Sequence, residues 1–143
     1  VRGHFADAKV PAMFSLEGID HVALAVPDVE RSAAWFIDVL GFERLYPGMW
    51  NGVPVFIGKG TTAIALFPRR TAGESIPPQQ GHRHEADMLH LAMRADRKNF
   101  LAAQEELRSR GIKFEFTDHE VSHSIYFGNP DGHRLEITTY ELG

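Results

Sequence analysis

The sequence predicts an α+β fold of two βαβββ modules, their strands forming a cup-shaped mixed β-sheet with one helix of each module outside it. Three observations lead there. Two segments, Ile19 to Val26 and Met88 to Arg94, alternate large aliphatic residues with histidine or alanine, the period of a half-buried strand. Each is followed by an aspartate and a helix-spaced apolar stretch that stops at glycine. Each helix is followed in turn by short apolar runs separated by turn residues.

In chain order, residues 1 to 17 lack clean periodicity and read as an extension. In the first strand Val22, Leu24 and Val26 share one face and His21, Ala23 and Ala25 the other. Pro27 ends it, Asp28 caps the next element, and Val29, Ala33, Trp35, Phe36, Val39 and Leu40 give a helix that closes at Gly41. Phe42 to Leu45, Val53 to Ile57 and Thr62 to Phe67 follow as strands. Residues from about 69 to 87, with Pro77-Pro78 and His82-Arg83-His84, read as a long polar linker. The pattern then restarts. After the second alternating strand, Asp96 caps a helix through Phe100, Leu101, Ala103 and Leu107 that closes with Gly111. Strands are expected over Ile112 to Phe116, Ser122 to Phe127 and Arg134 to Tyr140, the last two joined by the turn Asn129-Pro-Asp-Gly132. The expected organisation is an extension over 1–17 and a single domain over 18–143, with module one at about 18–68 and module two at about 88–141.

His21 and His90 open the two halves at an offset of 69 residues, so the chain reads as an internal duplication. Neither half could cover its own concave sheet, which makes the pair one domain. Composition removes several functions. A formal charge of −4 offers no basic bias for a phosphate backbone, so nucleic acid is not an expected partner. The absence of cysteine excludes disulfides and thiolate metal sites, leaving imidazole and carboxylate as metal ligands. No apolar run approaches the roughly 20 residues of a membrane span, and Val1 to Lys9 lack a signal-like apolar stretch, so a cytoplasmic protein with no membrane partner is expected.

The repeat turns single histidines into a constellation. His21 and His90 hold the same place on equivalent strands, opposite the large aliphatics, and Ala23, Ala25 and Ala92 leave room beside them. On the last strand Leu135 and Ile137 face outward and Glu136 inward, where an unpaired carboxylate would be costly. Two imidazoles and one carboxylate form a facial set that leaves coordination positions open on iron(II) or manganese(II) (Fe2+ or Mn2+), with Zn2+ or Ni2+ as alternatives. Matching Leu135-Glu136-Ile137 to Ile64-Ala65-Leu66 puts Ala65 where a fourth ligand would stand.

Gly18-Ile-Asp-His-Val-Ala-Leu-Ala-Val-Pro-Asp28 and His123-Ser-Ile-Tyr-Phe-Gly-Asn-Pro-Asp-Gly-His-Arg-Leu-Glu136 resemble segments of the vicinal oxygen chelate superfamily. That group includes glyoxalases, extradiol ring-cleaving dioxygenases, fosfomycin-resistance proteins and bleomycin-binding proteins. The resemblance implies paired βαβββ modules around one divalent metal, with ligands falling here on His21, His90 and Glu136. Ala65 departs from the glyoxalase pattern, which has a second glutamate. Tyr126, ten residues before Glu136, is similar to the tyrosine of the dioxygenase and fosfomycin branches. The expected activity is a ring-cleaving or related dioxygenase on a small molecule with adjacent oxygens. The alternatives are a metal-dependent lyase, isomerase or thiol transferase, and a metal-free bleomycin-type binding protein. A homodimer is expected, and module pairing within or between chains is left open; in the second case His21 meets His90 and Glu136 of another copy.

Around the metal ligands, Tyr126 and Ser124 share the inward parity, as candidate catalytic and substrate-binding residues. His123 is a second catalytic candidate, although its parity turns it toward the helix layer, where a structural histidine belongs. His119, His82 and His84 lie in loops and are acid or base candidates only if a loop closes over the pocket. Trp50, Phe56 and Phe67 are candidates for lining the substrate pocket or filling core.

Overall fold

The computed structural model describes residues 14–69 and 88–143. The linker, His82 and His84, and most of the N-terminal extension lie outside the described residues.

Among the described residues, eight strands and two α-helices follow in the order β1 (Val22–Val26), α1 (Val29–Leu40), β2 (Glu43–Leu45), β3 (Val55–Lys59), β4 (Thr62–Pro68), β5 (Leu91–Arg94), α2 (Arg97–Ser109), β6 (Glu115–Asp118), β7 (His123–Gly128) and β8 (Arg134–Thr139). The strands form two four-stranded mixed sheets of identical topology, β1-β4-β3-β2 and β5-β8-β7-β6. In each, the first strand runs parallel to the last and the other pairings are antiparallel. The duplication read from the sequence is therefore a duplication of topology.

Local chemistry sets the helices. Asp28 accepts the Arg31 N–H at 3.1 Å and Asp96 the Asn99 N–H at 2.9 Å, so each helix begins on an aspartate cap. Gly41 and Gly111 follow the two helices with φ of 72° and 71°, a conformation glycine adopts without a Cβ penalty. Phe36 of α1 and Phe100 and Leu107 of α2 are buried against their sheets, as the apolar spacing requires.

The structure moves one strand. The sequence places the strand after the second helix at Ile112 to Phe116, but the ladder spans Glu115–Asp118. The Ile112 N–H closes on the Leu107 carbonyl at 2.9 Å, and Phe114 lies under the Arg108 guanidinium and against the core, so these residues finish the helix instead of pairing with β7. A short 3-10 turn, Met49–Gly52, also interrupts the connection from β2 to β3.

The modules meet on their helix side. Leu24, Phe36, Ile57 and Leu66 belong to one buried cluster with Phe100, Ile125 and Leu135, and Ser32 Oγ donates to Asp131 Oδ2 at 2.7 Å across the seam. Arg110 reaches from the end of α2 to Asp38 Oδ2 at 2.8 Å. Among the described residues no helix is long and apolar enough to cross a membrane.

Candidate metal centre

Register decides what shares the inner face. In module two, β8 lies between β5 and β7 with Glu136 opposite Ala92 on one side and Tyr126 on the other. Because paired residues in a sheet point to the same side, Glu136, Tyr126 and the adjacent Ser124 and Thr138 gather on one face, and Leu135 and Ile137 take the helix side. His90 immediately precedes β5, and its Nε2 stands 2.9 Å from Glu136 Oε1. Glu136 is 6% exposed, and its other oxygen accepts the Ser124 hydroxyl at 2.6 Å. Ser124 Oγ also lies 3.0 Å from Thr138 Oγ1.

These distances suit a cation. Two ligands about 2.1 Å from an octahedral ion, at right angles, stand about 3.0 Å apart, close to the separation of the His90 and Glu136 atoms. A buried carboxylate with one oxygen oriented by a serine and the other beside an imidazole is a donor set of the hard and borderline kind that divalent metals take. His90 remains partly open to solvent, so the pair has an accessible side.

Tyr126 stands edge-on to the His90 ring, centroids 5.6 Å apart, and its hydroxyl shares a 2.9 Å hydrogen bond with His119 Nε2. Burial, and then the Glu136 carboxylate, push the phenol above its ordinary pKa, so it stays protonated at neutral pH. His119 itself is held by the hairpin between β6 and β7, where its N–H bonds the Ser122 carbonyl at 2.8 Å. The Arg134 guanidinium lies over the Tyr126 ring, 4.6 Å from its centroid.

In module one, His21 immediately precedes β1, the place His90 takes before β5. Its Nδ1 lies 2.7 Å from Asp20 Oδ2, and its ring is edge-on to Phe56 at 5.1 Å. Ala65 sits opposite Ala23 in the β1/β4 pair just as Glu136 sits opposite Ala92 in β5/β8, so alanine holds the register position of the glutamate. Among the described residues no three histidine, aspartate or glutamate side chains converge closely enough to hold a metal. The chain thus assembles His90, Glu136, Ser124 and Tyr126, and leaves His21 outside that group.

The remaining candidates divide as follows. His123 lies on the other face of β7, edge-on to Phe116 at 5.2 Å and 3.6 Å from Asp118 Oδ1, and does not join Glu136. Phe56 and Trp50 pack together on module one's inner side with centroids 5.3 Å apart, and Phe67 lies in register with Ala25 on the same face. His119 was one loop histidine among several in the sequence; its bond to Tyr126 depends on the hairpin, and no local pattern announces it. Tyr46, which packs on both Trp50 and Phe56, was not singled out, because it sits in a turn whose direction the sequence does not show.

Comparison with known proteins bears on the family and the fold. The chain is 27% identical over 122 residues to a glutathione transferase, FosA, of Serratia marcescens, covering 85% of this chain and 80% of that protein. It is 25% identical over 120 residues to the catechol-2,3-dioxygenase of Bacillus subtilis (strain 168), of which it spans 40%. Its fold matches the crystal structure of a glyoxalase/dioxygenase from Nostoc punctiforme with a TM-score of 0.70, at 22% identity, over 96% of this chain and 100% of that one. The family model of the Glyoxalase/Bleomycin resistance protein/Dioxygenase superfamily matches residues 18–137. With that match over most of its length, and with two βαβββ modules in the described structure, the chain belongs to this superfamily, the vicinal oxygen chelate proteins.

Proposed function

We propose that this protein is a metal-dependent enzyme that binds a small molecule through two adjacent oxygens, and that its reaction is a ring-cleaving or related dioxygenation. The observation that carries the reading is the buried Glu136 carboxylate, 2.9 Å from His90 and aimed by Ser124. His90 and Glu136 are the ligands from module two, and His21 is the third. Iron(II) or manganese(II) suits this set best. When bound, such an ion supplies Lewis acidity that draws the proton from a chelating hydroxyl.

The third ligand comes from a second copy in this reading. Within the chain the modules join through their helix sides, and His21 and His90 stand at the starts of β1 and β5 in separate sheets. A homodimer that pairs module one of each copy with module two of the other brings His21 to His90 and Glu136 twice, by symmetry.

The chain's own groups handle the proton. Tyr126 Oη receives the substrate hydroxyl proton as it passes its own to His119 Nε2, and the exposed imidazole exchanges it with water. Ser124 keeps Glu136 oriented throughout.

Two measurements test the reading. Elemental analysis should find one metal per chain, lost in His90→Ala and Glu136→Ala. Mixing His21→Ala with His90→Ala should restore about a quarter of wild-type activity, since one of the two sites in each mixed dimer is intact. No metal in the purified protein after anaerobic loading with iron(II) would refute the proposal, and no recovery on mixing would refute the shared site. Oxygen consumption with catechol-type diols tests the reaction. The likeness to a glutathione transferase favours a second reaction on the same metal, thiol transfer or a lyase step. Turnover that persists without oxygen would assign that one.

A further inference from the structure

The two inner faces differ in chemistry. In module two the inward side chains are polar, Ser124, Tyr126, Glu136 and Thr138. In module one the strands turn Ala23, Phe56, Ala65 and Phe67 inward, with Glu43 on the edge strand, and Phe56 makes a continuous aromatic surface with Tyr46 and Trp50 of the β2–β3 connection. Phe56 touches His21 at 5.1 Å, Trp50 at 5.3 Å and Tyr46 at 5.9 Å between ring centroids, and Tyr46 and Trp50 meet at 5.7 Å. Tyr46 and Trp50 are nevertheless 62% and 47% exposed, so this is an open wall and not core.

The backbone beneath the wall is held against its own preference. Tyr46, Trp50 and Asn51 have φ of 52°, 56° and 52°, in the left-handed region where a Cβ crowds the neighbouring carbonyl. Two large aromatic residues in that conformation, exposed to water, are an improbable result of chain connection alone, since Gly48 and Gly52 already supply the permissive positions of the same turn. Among the described residues the cation beside the wall is already paired. The nearby Arg44 guanidinium, under the same loop, is paired with Glu30. At the wall itself an anionic group would meet an arginine already neutralised by Glu30, whereas a planar ring finds faces and edges to pack on.

We infer that the surface formed by Tyr46, Trp50 and Phe56 holds a planar, uncharged aromatic body of the substrate, beside the adjacent oxygens that reach the metal. The inference rests on the proposed metal site, because contact with His21 is what places the wall next to it. It gives the loop of residues 46–52 the role of substrate selection, with module two supplying the polar chemistry.

The test uses the full chain, loaded with iron(II) without oxygen or stripped with chelator, and three probes: a dihydroxynaphthalene, naphthol, and lactate as a small aliphatic chelator. Binding is read by calorimetry. Metal-loaded protein should bind the dihydroxynaphthalene at least about tenfold more tightly than lactate, and Trp50→Ala should remove that preference while leaving lactate binding unchanged. Stripped protein should still bind naphthol weakly, with about tenfold loss in Trp50→Ala and little in Trp50→Phe. Metal-independent binding of both aromatic probes, still lost in Trp50→Ala, would keep the wall and overturn the metal reading. Equal binding by wild type and Trp50→Ala would overturn the wall. Dissociation of the homodimer in Trp50→Ala, seen by light scattering, would also overturn it, since the aromatic surface would then hold the two copies together and not the substrate.

Discussion

Replacing Ser124 with alanine isolates the role of the group that aims Glu136. Ser124 is fully buried and donates to Glu136 Oε2 at 2.6 Å, the short distance of a hydroxyl bonded to an ionised carboxylate. A hydrogen bond to a charged group contributes about 1.5–3 kcal/mol, and here the loss leaves one oxygen of a 6% exposed carboxylate without its donor. With a urea m-value of about 2 kcal/mol/M for a chain of this size, the unfolding midpoint of the metal-free protein should fall by about 1 M at constant m. Metal affinity should fall by about ten- to a hundredfold, since a ligand held in one orientation by an outer partner loses that orientation. Urea titration followed by circular dichroism reads the first effect and calorimetric titration with Mn2+ the second. A midpoint and an affinity both equal to wild type would refute the argument that Ser124 orients the ligand. A lowered midpoint with unaltered affinity would show that it satisfies the carboxylate without directing it.

Other outcomes follow from the same geometry. The Tyr126 phenol is pushed above its ordinary pKa by burial and by Glu136, so in metal-free protein its phenolate absorbance should appear at higher pH than that of free tyrosine, and Glu136→Gln should bring it down. The sign follows for stability: the folded state keeps a proton that the unfolded chain loses near 10, so this group's contribution is present below that pH and is lost as pH climbs toward the raised value, which Tyr126→Phe should remove from alkaline unfolding curves. Arg110→Ala should lower the Tm by severing the link from the end of α2 to Asp38 of α1 and the pair with Glu106 in the last turn of α2, and the difference from wild type should narrow in high salt. Gly58→Ala should cost about 1–3 kcal/mol, because a Cβ there would stand 2.6 Å from Leu45 Cδ1 and 2.9 Å from the Thr62 carbonyl oxygen. Since Leu45 precedes Tyr46, the same variant should weaken aromatic probe binding, and an unchanged urea midpoint would refute the packing argument.

Much of the module is written locally. Asp28 and Asp96 cap helices, Gly41 and Gly111 end them, and the alternation of Val22, Leu24 and Val26 marks one sheet face, because each of these effects acts within a few residues. Where two local tendencies compete, apolar period alone does not decide the element. The apolar run from Ile112 looked like a strand, but its first residues are claimed by the end of α2 and by packing of Phe114.

Duplication gave the sequence unusual reach toward the site. Because His21 and His90 open equivalent halves, the alanine at position 65 is legible as the counterpart of Glu136, and the register places Ala65 opposite Ala23 as Glu136 lies opposite Ala92; the structure brings His90 to Glu136 and leaves His21 apart from them. Strand parity also put Tyr126 and Ser124 beside Glu136 and turned His123 away, because alternation is a property of the strand itself. Tertiary structure decided what alternation does not encode: the 2.9 Å approach of His90 to Glu136, the capture of Tyr126 by His119, the edge-on packing of Tyr46 against Trp50 and Phe56, and the joining of the two modules through their helix sides. These are contacts between elements distant in sequence or across turns of unusual φ, where direction is set by packing and loop conformation and not by the period of the residues.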